Sequence, residues 1–299
     1  MAIRSMTSAV AGLRAQQTAM DVIGNNIANV NTAGFKASQT TFSDMFYQTI
    51  NGGGTQVDPS QVGYGAQVAN VSKNMSKSGY TQTDNATDVY LDGEGFFALG
   101  SQTDCSTSGS IYYSRLGKFS TPNGYLCDAS GNYVLDDKKK AVQLVSDAAT
   151  TVTLHPASGA DVTITNANYG QLMNISINTD GTITASIDNV TGTLQSVPAS
   201  GGTASDMHIG LVTFNNPSGL SEAGNSYFTS TQSSGTPNFM VAGTNNSTAM
   251  RAGKLEQSNV DLASEFTNMI VTQRGYQANA RVITVSDSML EELVNLKRS

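Results

Sequence analysis

Apolar residues recur every three or four positions along the last forty residues of the chain. This spacing predicts one long amphipathic helix that begins after Asn259 and ends near Arg298, with Gly275 as its weakest position. At 1.5 Å per residue, such a helix is roughly 55–60 Å long, longer than a compact domain of this size needs. Its seam passes through Leu262, Phe266, Met269, Gln273, Tyr276, Ala280, Ile283, Asp287, Leu290 and Val294. A second apolar row follows at Val282, Val285, Met289, Leu293 and Leu296. The helix therefore needs more than one partner.

The first thirty residues carry a second seam of the same kind. Alanines between the seam positions favour a helix and give it thin faces, and the turn-forming residues from Asn29 to Gly34 end it. The seam passes through Ile3, Met6, Val10, Leu13, Gln17, Met20, Gly24 and Ile27. Two seams of similar period at opposite ends of one chain favour packing against each other. We therefore expect the terminal helices to form a coiled-coil core domain.

Between the helices, the hydrophobic period changes from about 3.6 residues to 2. Short runs of Val, Ile, Tyr and Phe around turns such as Asn123-Gly124 and Asp180-Gly181 are typical of β-hairpins. The predicted fold class is mixed, a discontinuous architecture in which long N- and C-terminal α-helices enclose an all-β middle domain. The predicted domains are a helical domain at 1–30 and 258–299, a linker or arm region at 31–65 and 230–257, and a β-rich domain at 66–229. Residues 141–204 are its least informative part and a possible insertion.

Charge and composition exclude several classes of function. Only 13% of the residues are charged and the net charge is −7, so the chain lacks the basic stripe that nucleic-acid binding requires. Two histidines and two cysteines are too few for a typical zinc site or a disulfide framework. No cofactor or metal is therefore expected. A bridge between Cys105 and Cys127 and two unpaired thiols both remain open.

The N-terminus carries no recognisable secretory signal. Its first residues lack an uninterrupted apolar core, and no apolar run in the chain reaches the roughly 18 residues of a membrane span. Membrane insertion is therefore not expected. If the protein is exported, we expect export without a cleaved signal peptide.

Neighbouring carboxylates are the candidates for acid–base catalysis. Asp92 with Glu94, or Asp136 with Asp137, could form a catalytic pair, and an exported enzyme or carbohydrate-binding module is the rival class of function. However, carboxylates one or two positions apart in a turn are usually solvated or cap the turn, and no His, Cys or Ser constellation joins them. We therefore expect no catalytic residues.

Two long motifs at the chain ends resemble a known protein family. Residues 24–36, GNNIANVNTAGFK, are similar to the N-terminal signature of the bacterial flagellar rod and hook proteins. Residues 255–262 and the helix after them resemble the C-terminal signature, and Tyr113-Ser114-Arg115-x-Gly117-x-Phe119 resembles a motif from the middle of the same family. The residues that carry the terminal motifs are Asn25, Asn26, Asn29, Asn31, Gly34, Phe35, Ser258, Asn259, Gln273 and Arg274.

The resemblance implies a structural subunit, not an enzyme, whose terminal helices form the inner layer of a tube around an export channel. Residues 20–26 and 290–298 look more like those of short hook proteins, and 299 residues exceed the length expected of a distal rod protein. The expected role is therefore an extracellular hook subunit, part of a curved, flexible tube that joins rod to filament and transmits torque. A distal rod protein of the basal body is the alternative.

The expected partners of a hook subunit are further copies of itself, the rod and hook–filament junction proteins, the hook cap and the flagellar export apparatus. Head-to-tail contacts that do not close generate such a filament, whereas a soluble dimer closed by a four-helix bundle would use the same helices without one. The polymer interface is predicted along both seams, at Ile3, Met6, Val10, Leu13, Met20, Ile27, Leu262, Phe266, Met269, Tyr276, Ile283, Leu290 and Val294.

Overall fold

The chain forms two compact units. The computed structural model describes residues 2–53, 58, 60–105, 109–146, 150–156, 161–165, 172–187, 190–198, 205–243 and 248–298. The terminal unit comprises residues 1–31, 36–74 and 260–299, and the β-rich unit comprises residues 32–35 and 75–259. Long helices at both ends and a mostly β middle confirm the predicted mixed architecture.

Two antiparallel helices dominate the terminal unit: α1 spans Ala2–Ala28 and α2 spans Leu262–Arg298. Their register follows from four contacts. The hydroxyls of Ser5 and Ser286 lie 3.2 Å apart, and Asn26 Nδ2 donates to Glu265 Oε1 over 2.9 Å. Between these ends, Gly12 lies against Asn279 and Gly275 lies against Gln16. Each step towards the C-terminus of α1 is matched by an equal step towards the N-terminus of α2, which is the register of an antiparallel pair.

Small and polar side chains form the contact face of the helix pair. The fully buried residues are Ala9, Ala15, Ala19, Ile23 and Asn26 on α1 and Thr272 and Ser286 on α2. The buried positions of α1 therefore differ from the predicted seam. They do not all face α2, since Ala15 lines a cavity with Met45 and Ala66. The larger apolar residues remain at the edges of this contact. Coiled-coil packing of the terminal helices stays a prediction.

A long two-stranded ribbon completes the terminal unit. Its strands are β1 (Ser38–Asp44), β2 (Tyr47–Asn51), β3 (Ser60–Gly63) and β4 (Ala66–Lys73). β1 pairs with β4 and β2 pairs with β3, both antiparallel. Met45 N–H donates to Gly65 O and Tyr64 N–H donates to Phe46 O, which joins the two pairs into one ribbon. The boundary predicted between residues 65 and 66 falls inside this ribbon. Its largely solvated faces conceal the strand period from sequence inspection.

The β-rich unit contains all the remaining strands. They are β5 (Tyr80–Gln82), β6 (Val89–Asp92), β7 (Phe96–Gly100), β8 (Ile111–Ser114), β9 (Phe119–Ser120), β10 (Cys127–Asp128), β11 (Tyr133–Val134), β12 (Thr150–Pro156), β13 (Val162–Thr163), β14 (Met173–Ile177), β15 (Ile183–Ile187), β16 (Val190–Pro198), β17 (Ser205–Asp206), β18 (Leu211–Thr213), β19 (Ser221–Gly224), β20 (Tyr227–Thr229), β21 (Asn238–Met240), β22 (Ala249–Ala252) and β23 (Lys254–Glu256).

Two antiparallel sheets organise this unit. The first runs in the order β19-β20-β8-β7-β11-β10-β9, with β18 joining β7 to β21. The second runs in the order β13-β12-β16-β15-β14, and β17 pairs with β16. The strands of this second sheet lie mostly within residues 141–204, the possible insertion. Residues 230–257, predicted as linker, include β21, β22 and β23, which pair with β18, β6 and β5.

One apolar core includes residues from both sheets. It contains Phe97, Leu99, Leu154, Ile183, Leu194 and Leu211, all essentially without solvent exposure. A second cluster is aromatic, in which the Tyr113 and Phe214 rings meet edge to face at 4.8 Å and Phe96 contacts Phe228 at 5.7 Å. The unit therefore buries its own large apolar residues, unlike the terminal unit.

Candidate assembly interface

Helix α2 presents a stripe of large apolar side chains to solvent. The stripe consists of the second apolar row of the sequence, Val282, Val285, Met289, Leu293 and Leu296, and we call it the distal stripe. Leu293 is 60% exposed and Leu296 is 71% exposed. Contiguous apolar surface that is exposed in this way marks an interaction site. The distal stripe is therefore the first candidate surface for assembly.

The predicted interface residues divide between the helix contact and the surface. Half-buried positions are Met6, Leu13, Met20, Ile27, Met269, Ile283 and Leu290. Exposed positions are Val10, Leu262, Phe266, Tyr276 and Val294. The side chain of Ile3 lies outside the described residues. The exposed group and the distal stripe therefore offer more surface to a neighbouring subunit than the half-buried positions do.

The far end of the ribbon is a second apolar surface. Phe46 is 84% exposed, and Tyr47, Ile50 and Val62 are also exposed. The hydroxyl of Tyr47 donates to Asp44 over 2.7 Å, and this hydrogen bond to a carboxylate raises the pKa of Tyr47. A two-stranded ribbon is marginally stable without further packing. Sequence reasoning missed this site, although apolar residues beside a glycine-rich turn were the available signal.

Asn26 joins three elements of the terminal unit. Its amide nitrogen donates to Ser38 O over 2.8 Å and to Glu265 over 2.9 Å, and its amide oxygen accepts from Ser38 N–H over 2.9 Å. The side chain is 1% exposed, so removal of these partners would leave buried polar groups unsatisfied. This family-motif residue therefore positions α1, α2 and the start of β1.

The other motif residues lie at chain reversals or on exposed faces. Gly34 has a φ of +70°, and a Cβ there would lie 3.0 Å from Leu116 N, so glycine is required. Asn29 donates to the backbone and side-chain oxygens of Asn25, both over 2.9 Å. Asn31, Gln273 and Arg274 are exposed, whereas Phe35, Ser258 and Asn259 are half-buried.

The carboxylates considered as acid–base pairs have structural partners. Hydrogen bonds from Arg251 and then Lys77 lower the pKa of Asp92. Burial raises the pKa of Asp136, which accepts the backbone N–H groups of Lys138 and Lys140 over 2.8 and 2.9 Å. These contacts close a turn and hold two strands, and they do not create a paired acid and base.

The remaining candidates for chemistry are the thiols and the metal-ligating side chains. Cys105 and Cys127 are both buried and unbridged, and burial raises the pKa of Cys127. Within the part of the chain that the structure describes, no three His, Cys, Asp or Glu residues are grouped to hold a metal ion. Neither described helix has an apolar stretch sufficient to cross a membrane.

Three family models match successive parts of the chain. "Flagella basal body rod protein" matches residues 6–36, and "Flagellar hook protein FlgE/F/G D1 domain" matches residues 90–185. "Flagellar basal body rod FlgEFG protein C-terminal" matches residues 251–296. The matched stretches include most of the two helices and about half of the β-rich unit.

Full-length relatives carry both rod and hook names. The flagellar basal-body rod protein FlgG of Bacillus subtilis (strain 168) is 36% identical over 304 residues, covering 99% of this chain and 100% of that protein. FlgG of Buchnera aphidicola subsp. Schizaphis graminum is 33% identical over 302 residues, covering 98% and 100%. The flagellar hook protein FlgE of Borreliella burgdorferi is 27% identical over 446 residues, covering 99% and 100%. The chain therefore belongs to the family of flagellar basal-body rod and hook proteins, which are structural components of the flagellum and not enzymes.

Proposed function

We propose that this chain is a subunit of the distal rod of the flagellar basal body. The observation that carries the proposal is end-to-end similarity to proteins named FlgG, at identities of 36% and 33%. The hook relative is less similar, and its alignment extends over 446 positions against 299 residues here. The expectation that 299 residues exceed the length of a distal rod protein stays a prediction, since an alignment that spans both chains leaves room for gaps in the rod relative.

Exposed apolar surface supports the polymeric part of the proposal. Rod and hook proteins polymerise in the flagellar axis, and this chain leaves the distal stripe and the ribbon end uncovered. Burial of apolar area contributes about 25 cal/mol per Å², so several such side chains supply a substantial driving force for association. Neighbouring copies that cover the distal stripe would extend a filament if their contacts do not close.

A rod subunit differs from a hook subunit in location and neighbours. We place it in the basal body instead of the extracellular hook, in contact with further copies of itself and with the axial proteins before and after it. In this role the terminal helices line the export channel and the polymer transmits torque as a drive shaft. A hook subunit remains the second candidate because a hook protein is also similar to this chain over its full length.

Deletion of the gene in its own bacterium separates the two roles. We expect basal bodies purified from the deletion strain to have an incomplete rod and no hook in electron micrographs, because each axial segment is built on the preceding one. A complete rod that lacks only the hook would contradict the rod assignment. Re-expression of the unaltered chain should restore both segments, which excludes effects on neighbouring genes.

A further inference from the structure

The chain crosses between its two units four times, near residues 31, 35, 74 and 259. Inside the β-rich unit, the stretches next to these crossings meet at Glu256. Gly34 N–H donates to Glu256 O over 2.8 Å, and Ser78 N–H donates to Glu256 Oε1 over 3.1 Å. Ser78 Oγ donates to Ser258 O over 2.9 Å, and Gln257 N–H donates to Gly79 O over 2.9 Å. One residue thus connects the entering, returning and leaving segments.

A buried ion pair holds the Glu256 side chain in this position. Arg115 Nη1 lies 3.5 Å from Glu256 Oε2, and the two side chains are 3% and 0% exposed. Arg115 Nη2 donates to Gly93 O over 2.9 Å, and the guanidinium lies 5.5 Å from the centre of the Phe96 ring. These contacts connect the central family motif that contains Arg115 to the chain ends.

The geometry of the pair is not optimal for stability alone. Its charge–charge contact is long, and Arg115 Nε has no hydrogen-bond acceptor among the described residues. Burial lowers the pKa of Arg115, which reflects the cost of removing the guanidinium from water. Buried ion pairs often stabilise a protein no more than apolar residues of similar volume would. We therefore look for the role of this pair in the position that it gives to Glu256, and not in a contribution to the free energy of unfolding.

We propose that the Arg115–Glu256 pair is a clamp that makes the chain segments entering and leaving the β-rich unit open and close as one cooperative unit. Without the clamp, each segment would detach from the β-rich unit on its own, and a pulling force on one segment would separate it alone. With the clamp, such a force is shared by all the segments and the core behind them. The clamp does not depend on the choice between rod and hook.

Amide hydrogen exchange of the full chain, measured by NMR at a concentration where it is monomeric, tests the clamp. The probes are the N–H groups of Gly34, Ser78 and Gln257, which lie on three different segments. In the unaltered chain we expect all three to exchange through one common opening with the same opening free energy. In the double variant Arg115→Met, Glu256→Gln, we expect each segment to open by itself, so that all three amides exchange faster, by factors that differ between segments and reach roughly tenfold or more. Val134 N–H, which donates to Leu126 O in the core, should keep its rate.

The exposed ion pair of Asp92 with Arg251 provides the matched control. It has a shorter contact of 2.8 Å, and the Arg251 side chain is half-exposed, so Arg251→Gln should leave the three probe amides unchanged while the contact of Lys77 with Asp92 stays in place. Different opening free energies at the three probes in the unaltered chain, acceleration at Ser78 alone or by one common factor in the double variant, or equal acceleration at Val134 would overturn the clamp. If the double variant does not fold, Arg115→Gln, Glu256→Gln carries the same measurement, because two amides leave no buried charge unpaired.

Discussion

Leu293→Asp is expected to abolish polymer formation while leaving the monomer folded. Leu293 belongs to the distal stripe and is 60% exposed in the single chain, so the new carboxylate remains hydrated there. In a polymer that covers the stripe, the same carboxylate would be buried without a partner. The variant is more informative than Leu290→Asp, because Leu290 is half-buried in the terminal unit and its loss would also affect the monomer.

The size of this effect follows from two contributions. A buried leucine contributes about 2 kcal/mol, and burial of an unpaired carboxylate costs several kcal/mol more. Even about 3 kcal/mol per subunit raises the concentration needed for assembly by roughly a hundredfold. Sedimentation of purified protein under polymerising conditions measures this concentration. Ser288→Asp adds the same charge at an exposed polar position outside the stripe and should change it much less.

Gly117→Ala is expected to prevent stable folding of the β-rich unit. A Cβ at residue 117 would lie 1.9 Å from Val89 O and 2.8 Å from Phe97 Cε2. Val89 N–H also donates to Gly117 O over 2.8 Å, so the two backbones cannot separate without loss of this bond. We expect the free energy of unfolding to fall by about 3 kcal/mol or more.

Urea denaturation followed by tyrosine fluorescence can measure this loss, because the chain has 11 tyrosines and no tryptophan. Gly131→Ala is the matched control, since a Cβ there meets no atom within 4 Å and only the positive φ of +83° opposes it. Its cost should be about 1 kcal/mol. Equal stability of the two variants would show that the contact with Val89 does not determine the effect.

Sequence periodicity predicted where the helices and strands lie better than it predicted which face of each helix is buried. The helices at both ends and the β middle followed from periods of 3.6 and 2, because local burial patterns depend mainly on near neighbours. The face of α1 in contact with α2 could not be predicted by apolarity, since alanines and Asn26 occupy it. Close approach of the helix axes selects thin side chains, and a count of large apolar residues cannot detect this.

The long-range features of the candidate site were hidden for a different reason. The ribbon pairs residues 38–44 with residues 66–73, and its solvated faces produce no clear alternation. Arg115 and Glu256 are 141 residues apart, so neither motif indicates that the other is its partner. The family motifs predicted which stretches matter, whereas the contacts that connect them required the fold.

Cysteine accessibility at residue 293 tests most directly whether the distal stripe is covered in an axial polymer. Background labelling should be low, because Cys105 and Cys127 are buried. A Leu293→Cys variant should react rapidly with a maleimide reagent as a monomer, become protected in purified basal bodies, and react again once they are dissociated. Equal reactivity in the monomer and in the assembled basal body would contradict the account.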